Sequence, residues 1–389
     1  MIVIKRLIKN IIFYAFFPLT FLVFFVSAVI ARYLKKQYDI GIGPEPLINN
    51  VHHKDALILY GYSVQTFVNQ VYYITNKFDI RGDMWALRIR NYLLFMHVLF
   101  SYKIIYIYFN GGPLGWTKLA MFESMFLKIA RVKVVVMPYG GDVYKSSENY
   151  NLLLKNAYLR DYPNLVKYSE EKNKWQVNYW IKNADHIISG CDWVYYLKYW
   201  DTLMTAHFSI NIEKWQSSKE YILPIKFDIN RKLKILHAPN HKNGKGTEFF
   251  VKAINELINE GCHIDFVLLG GLSNDQLKEV VDSVDLICDQ LIIGWHGIFA
   301  LEAMAMNKPV ICYIEKQLEE LYIATNLIKK DEIPLINANI FDVKEKILYY
   351  YNNPHKLEDL SNRSREYVIE HHSIEYIGNI FNEINKRLI

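Results

Sequence analysis

Three side chains of this 389-residue chain stand where residue type and spacing could do chemistry: Glu302, Lys245 and Asp142. Glu302 is the single charged residue in the apolar stretch Phe299 to Met306, whose spacing predicts a short buried helix. A carboxylate stranded in an apolar layer is costly unless something polar meets it. One turn into a helix, it either takes the two hydroxyls of a ribose or complements the helix dipole. Just before it, Gly294-Trp295-His296-Gly297 interrupts an apolar run, and the free N–H groups of Ile298 and Phe299 suit a phosphate. Lys245 belongs to a basic glycine loop, His241-Lys242-Asn243-Gly244-Lys245-Gly246, preceded by Asn240. Such a loop either cradles a phosphate or stands as a solvated turn. Asp142 follows Tyr139-Gly140-Gly141 at a strand's carboxyl end, as a cleft residue or a helix cap.

The elements that must hold these residues read as alternating strands and helices. Asp285 to Ile293, the helix carrying Glu302, and Val310 to Ile314 form one βαβ unit, with its glycine turn where parallel sheets bind ligands. Upstream, Lys234 to Ala238 reads as a strand and Thr247 to Glu260 as an amphipathic helix buried through Phe250, Ala253, Ile254, Leu257 and Ile258. Ser273-x-x-Gln276 is a capping box opening another helix. In the first half, strands at 39–43, 64–68, 103–109 and 133–138 are predicted. The first runs into Gly43-Pro44, an ordinary turn or a cleft floor, and the third into Asn110-Gly111-Gly112. Helices are expected around 50–60 and 116–130. His52 and His53 are adjacent, so their side chains diverge; solvated positions are expected and a shared metal is not.

Composition narrows the function classes. Half the residues are hydrophobic and 15% are aromatic, which supplies a large core and excludes bulk disorder. Of the net charge of +5, residues 1–38 contribute +6 through Lys5, Arg6, Lys9, Arg32, Lys35 and Lys36, so the remainder stands at −1. That balance excludes a nucleic-acid surface. The uncharged run Ile11 to Ala31 between those basic flanks is long enough to cross a bilayer, with Pro18 allowing a re-entrant or tilted course. A cleaved signal peptide is the alternative. Cys191, Cys262, Cys288 and Cys312 show no zinc spacing and fit a reducing compartment.

The stretch 285–314 resembles the donor-binding motif of the retaining GT-B glycosyltransferases of family 4, also called group 1. Trp295-His296-Gly297 occupies that family's glycine turn, Glu302 is its second Glu, and Ala303-Met304-Ala305 and Lys308-Pro309-Val310 follow in place. The family's first Glu, a donor-sugar contact, is Gly294 here. Lys245-Gly246 matches its Lys-Gly pair, while Asn240 stands where an Arg is usual, leaving His241 or Lys242 to share the charge. The resemblance implies an α/β fold of two Rossmann-like domains facing across a cleft. The expected divisions are a membrane segment 1–38, an acceptor domain 39–215, a nucleotide-sugar domain 216–372, and a closing helix 373–389 packed back on the first domain. It implies a hexosyltransferase that needs no metal or cofactor. Lys245 and the 297–299 amides would hold the diphosphate, Glu302 the ribose, and Gly43, Pro44, Asn110, Gly140, Gly141 and Asp142 the acceptor side. The anchor adds a lipid-linked or glycan acceptor at the cytoplasmic face of the inner membrane, in bacterial capsule, exopolysaccharide or lipopolysaccharide assembly. The departures at 294 and 240 keep open a catalytically silent nucleotide-binding scaffold. A GT-B sugar-nucleotide epimerase is the other alternative, and a purely structural membrane protein would leave Glu302 and Lys245 without a role.

Overall fold

The computed structural model describes residues 2–72, 75–86, 89–218 and 220–389, with side chains from residue 17 onward. Two parallel sheets organise it. The first takes strands β1 (Tyr38–Ile42), β2 (Val64–Val68), β3 (Ile80–Arg81), β4 (Tyr102–Tyr108), β5 (Lys133–Met137), β6 (His186–Ser189) and β7 (Thr202–Leu203) in the order β3-β2-β1-β4-β5-β6-β7. The second takes β8 (Leu233–His237), β9 (Ile264–Leu268), β10 (Leu286–Gln290) and β11 (Val310–Cys312) in the order β11-β10-β8-β9. The central strands are apolar on both faces because helices cover both, the pattern of a doubly wound parallel sheet. In each sheet the strand order reverses at one point, between β1 and β4 in the first and between β8 and β10 in the second. Ligands of such sheets bind outside the carboxyl ends of the strands flanking that point. The loops there are 43–46, 109–112, 238–246 and 291–297.

Helices of the first sheet are α1 (Ile2–Tyr33), α2 (Ile48–Leu59), α3 (Arg90–Ser101), α4 (Glu123–Ile129), α5 (Leu152–Asp161), α6 (Pro163–Tyr168) and α7 (Glu170–Asn183). Those following β8 are α8 (Thr247–Asn259), α9 (Asn274–Asp282), α10 (Ile298–Ala305), α11 (Lys316–Ala324), α12 (Val343–Asn352), α13 (Pro354–His372) and α14 (Ile374–Leu388). The capping box forms as the sequence predicts, with Ser273 and Gln276 satisfying each other's backbone N–H at the start of α9. The helix expected over 116–130 is shorter. Pro113 and Gly115 break the chain into 3-10 turns, and only Glu123–Ile129 is α-helical.

The last helix leaves the second sheet and lies on α2. Tyr106 and Tyr62 hydroxyls donate to Asn385 and Asn382, and a side chain at Gly378 would meet the carbonyl of Ala56 at 2.7 Å. This packing corrects the expectation for the histidine pair. His52 and His53 are both fully buried, because α14 lies along α2 and Glu302 of the second domain stands 3.8 Å from His52. His53 bonds Ser209 and His207, and its ring meets Phe381 edge-on.

Helix α1 is two-faced. Phe24, Ala28 and Ala31 are buried, and Phe24 packs on Phe95 of α3 and Phe126 of α4. Its other face shows Leu19, Leu22, Val26 and Ile30 at 45–59% exposure. Among the described residues no helix is long and apolar enough to cross a membrane. The side chains of residues 11–16, the first part of the uncharged run, lie outside the described residues.

Candidate functional site

A cavity of about 550 Å³ lies between the two sheets, at the strand ends named above. Its second-domain wall is Lys245, His241 and, from the turn before α10, Ile293, Trp295, His296 and Gly297; Gly294 does not line it. The turn is built by Gln290, a buried amide at the end of β10. Its oxygen accepts from Ile292 and Ile293 N–H at 2.8 and 2.7 Å, and its nitrogen donates to the carbonyls of Trp295 and Tyr313. The three bonds to Ile292, Ile293 and Trp295 fix the path into α10, whose first residue is Ile298 and whose cap, Gly297, offers no side chain. The opening N–H groups of that helix are left for a ligand.

Lys245 reaches the same place from the other loop. It is held by backbone bonds from Lys245 N–H to His241 and from Leu291 N–H to Lys245, and Asp161 of α5 clamps Asn243 and Gly244. Gly246 takes φ +74°, and a side chain there would press on Leu291 at 3.2 Å. The ammonium pairs with Asp289, a carboxylate wholly buried at the end of β10, which also lies 3.5 Å from the N–H of Gly297. Asp289 therefore fixes where the lysine stands. In the free cavity the pair is neutral overall, and an arriving diphosphate meets both the lysine and the α10 amides. His241 bonds Tyr162 and lines the cavity, whereas Lys242 is exposed and lines neither pocket. Asn240 is exposed as well.

Glu302 does not line this cavity. It is buried on α10, accepts from Asn274 Nδ2 at 2.9 Å, and stands 3.8 Å from His52 Nε2 of the first domain. That separation is within ion-pair range, but burial lifts the Glu302 carboxyl to about 8 and lowers the His52 imidazole to about 3. Both are therefore neutral at pH 7. A second pocket of about 300 Å³, lined by Ser273, Asn274, Asp275 and Lys214 with Ile48 opposite, runs beside this pair. Asn274 thus connects Glu302 to open space.

On the first-domain side, Asn110, Gly140 and Gly141 line the large cavity. Asn110 donates to Glu45 and to the Tyr139 hydroxyl. Asp142 stands behind them, fully buried, and accepts from the N–H groups of Phe109, Tyr139 and Gly140, each at 3.0 Å. Between the two readings of Asp142, this is the structural one: it ties two strand-end loops together. Gly43 and Pro44 line neither pocket. A side chain at Gly43 would run into the Phe67 carbonyl, so the glycine is there for packing.

Gly294 is forced by its surroundings. Its φ is +100°, and a Cβ would stand 3.2 Å from both the Cβ and Oε2 of Glu315. Gly294→Glu, which installs the acid that the resemblance to family 4 leads one to expect, is expected to destabilise the fold by about 2–4 kcal/mol through left-handed strain and like charge. Denaturant titration checks it, and unchanged stability would mean the turn refolds around the new side chain.

Several residues in the cavity wall or buried behind it carry no motif. Asp289 and Gln290 were visible only as polar residues ending an apolar strand. Asp192, in the Gly190-Cys191-Asp192 turn after β6, and the aromatics Trp116, Tyr144, Tyr158, Tyr196 and Trp193 complete the first-domain wall. His296 is 1% exposed, lines the cavity, and neither ring nitrogen has a partner among the described residues.

No protein-family model and no curated protein sequence matches the chain. Solved structures do match it in fold. Sucrose-phosphate synthase of Thermosynechococcus elongatus superposes with a TM-score of 0.59 at 15% identity, over 91% of this chain and 99% of that one. Anabaena HepE in complex with UDP-glucose gives 0.57 at 11% identity, over 90% and 99%. The catalytic domain of Arabidopsis thaliana starch synthase IV, bound to ADP and acarbose, gives 0.50 at 11% identity, over 91% and 99%. The architecture shared along nearly the whole length is GT-B, the fold of two Rossmann-like domains across a cleft.

Proposed function

We propose that this protein is a glycosyltransferase that moves a sugar from a nucleotide-sugar donor to a saccharide acceptor. The observation that carries the reading is the convergence of Lys245 and the bare start of α10 at one end of the large cavity, at a strand-order reversal. Lys245 and the 297–299 amides take the diphosphate and stabilise it as the leaving group. The nucleoside then extends toward the smaller pocket, where Glu302, held by Asn274, meets the ribose. The sugar points into the large cavity. Structural neighbours in complex with UDP-glucose, or bound to ADP and acarbose, support this reading. By its resemblance to family 4, the reaction retains the donor's anomeric configuration. Product analysis with and without acceptor separates the classes: a new glycoside appears only with acceptor, an epimerase makes free product without it, and a silent scaffold makes neither.

The acceptor proposed is lipid-linked or membrane-proximal, in bacterial polysaccharide assembly at the cytoplasmic face of the inner membrane. The exposed apolar face of α1, beside a domain its other face is packed on, supports lateral seating on a bilayer flanked by basic residues. Leu22→Lys with Val26→Lys is expected to move the protein from floating with anionic phospholipid vesicles to the soluble fraction, with no loss of fold. Flotation unchanged by both charges would remove α1 from the membrane contact.

A further inference from the structure

The donor end of the cavity leaves most of its first-domain wall unused, and that wall has a definite chemistry. It is aromatic, with Trp193, Tyr196, Tyr158 and Tyr144 among its members, and the tyrosines pack edge-to-face on one another at 4.8 and 5.5 Å. Into it points one acid, Asp192, at the carboxyl end of β6. Cys191 before it takes φ +52°, a conformation that a non-glycine residue adopts only when its surroundings hold it there. Those surroundings include the second domain, because the Tyr322 hydroxyl donates to the Cys191 carbonyl at 2.8 Å. Asp192 is 8% exposed; its own backbone N–H donates to its carboxylate, Glu315 is the like charge facing it, and among the described residues no side-chain donor reaches it. Neither of the cavity's two lysines is a counter-ion to Asp192. Lys245 is paired with Asp289, and Lys172 sits 3.7 Å over the Trp116 ring.

From this arrangement we infer that the aromatic wall with Asp192 is the acceptor subsite, and that it takes an uncharged pyranoside. Such a ring presents a C–H face that packs on aromatic surface and an edge of hydroxyls that must be hydrogen-bonded when buried. Asp192 accepts from one of those hydroxyls, satisfying a carboxylate that the protein leaves without a side-chain donor. Burial holds its carboxyl up at about 7, so bringing a hydroxyl donor to it favours the charged form. A ring bearing a carboxylate or phosphate at this depth would meet an unpaired acid, and is excluded. The inference rests on the transferase reading for the word acceptor, but the binding itself does not depend on the donor site.

Saturation-transfer NMR on the full chain tests it, with octyl glucoside, galactoside and mannoside below their micelle concentrations and octyl glucuronide as the charged control. The expected result is transfer to the pyranose ring protons of at least one neutral glycoside and none to the glucuronide. Asp192→Ala weakens that affinity about tenfold, as loss of a hydrogen bond to a charged group does. Asp192→Asn, which keeps the shape, weakens it less and decides the matter if the alanine variant does not fold. The double variant Lys245→Ala with Asp289→Asn, which leaves no buried charge unpaired, is expected to keep glycoside binding while losing nucleotide-sugar binding, so failure of the donor site and failure of this subsite read out separately. Transfer confined to the octyl chain, equal binding of the glucuronide, or affinity unchanged in both Asp192 variants would overturn the assignment.

Discussion

Lys245→Ala is expected to lower kcat/KM with a nucleotide-sugar donor by about 10²–10³-fold, the size of effect seen when one charge-stabilising donor is removed from a dry site. The same substitution does a second thing. It strands Asp289, whose side chain is wholly buried and whose cation is Lys245. An unpaired buried charge costs about 3–5 kcal/mol, so the single variant loses stability along with activity. The two effects separate in the double variant Lys245→Ala with Asp289→Asn. Removing both charges returns stability close to that of the parent, measured by denaturant titration, while turnover stays as low as in the single variant. Recovery of turnover with stability would show that Lys245 serves the fold and not the leaving group.

Glu302 carries the second large effect. Glu302→Ala is expected to weaken nucleotide binding about 10–100-fold, from losing hydrogen bonds made by a buried carboxyl to ribose hydroxyls. Calorimetric titration with the matching nucleoside diphosphate measures it. The pH dependence gives an independent signature. A carboxyl lifted to about 8 in the folded protein and near 4.5 when unfolded stays protonated on folding, so its contribution is present below 4.5 and is lost as pH rises to 8. Glu302→Gln has no such loss. The difference in Tm, variant minus parent, should therefore grow more positive between pH 5 and pH 8. The difference is the quantity to follow, because buried histidines act in the opposite sense. His52, lowered to about 3, and His207, lowered to about 4, withdraw stability as pH falls below the ordinary imidazole range. A flat difference would mean that Glu302 is ionised in the folded protein and that His52 is its counter-ion.

What the sequence discloses follows the range of the interactions concerned. Hydrophobic period and punctuation are local, so the 285–314 βαβ unit, the Ser273 capping box and the burial of Glu302 are legible residue by residue. The turn at 294–297 is legible as a turn, but its cause is not. Gln290 holds it through the N–H groups of Ile292 and Ile293 and the carbonyl of Trp295, and Glu315, 21 residues beyond Gly294, fills the space that a side chain at 294 would need. His52 and His53 read as solvated because nothing near them in sequence covers α2; the cover comes from α14 and, at His52, from Glu302 of the second domain. Asp142 looked like a cleft acid because it follows two glycines at a strand end, yet its three backbone donors lie partly in the neighbouring loop after β4. Asp289 and Asp192 have no spacing signal at all. Each becomes a site residue only when two strand ends from different parts of the chain are brought face to face.

The central claim is a nucleotide-sugar site shared between the Lys245 loop and α10. One measurement addresses it most directly: a panel of UDP-, ADP- and GDP-sugars against the full chain in detergent, scored for shift in Tm and for nucleotide release, in the parent and in Lys245→Ala with Asp289→Asn. Sugars of one nucleotide are expected to stabilise the protein, with slow release of that nucleotide, and both effects are expected to be lost in the double variant. No shift with any donor, or a shift that survives removal of Lys245, would contradict it.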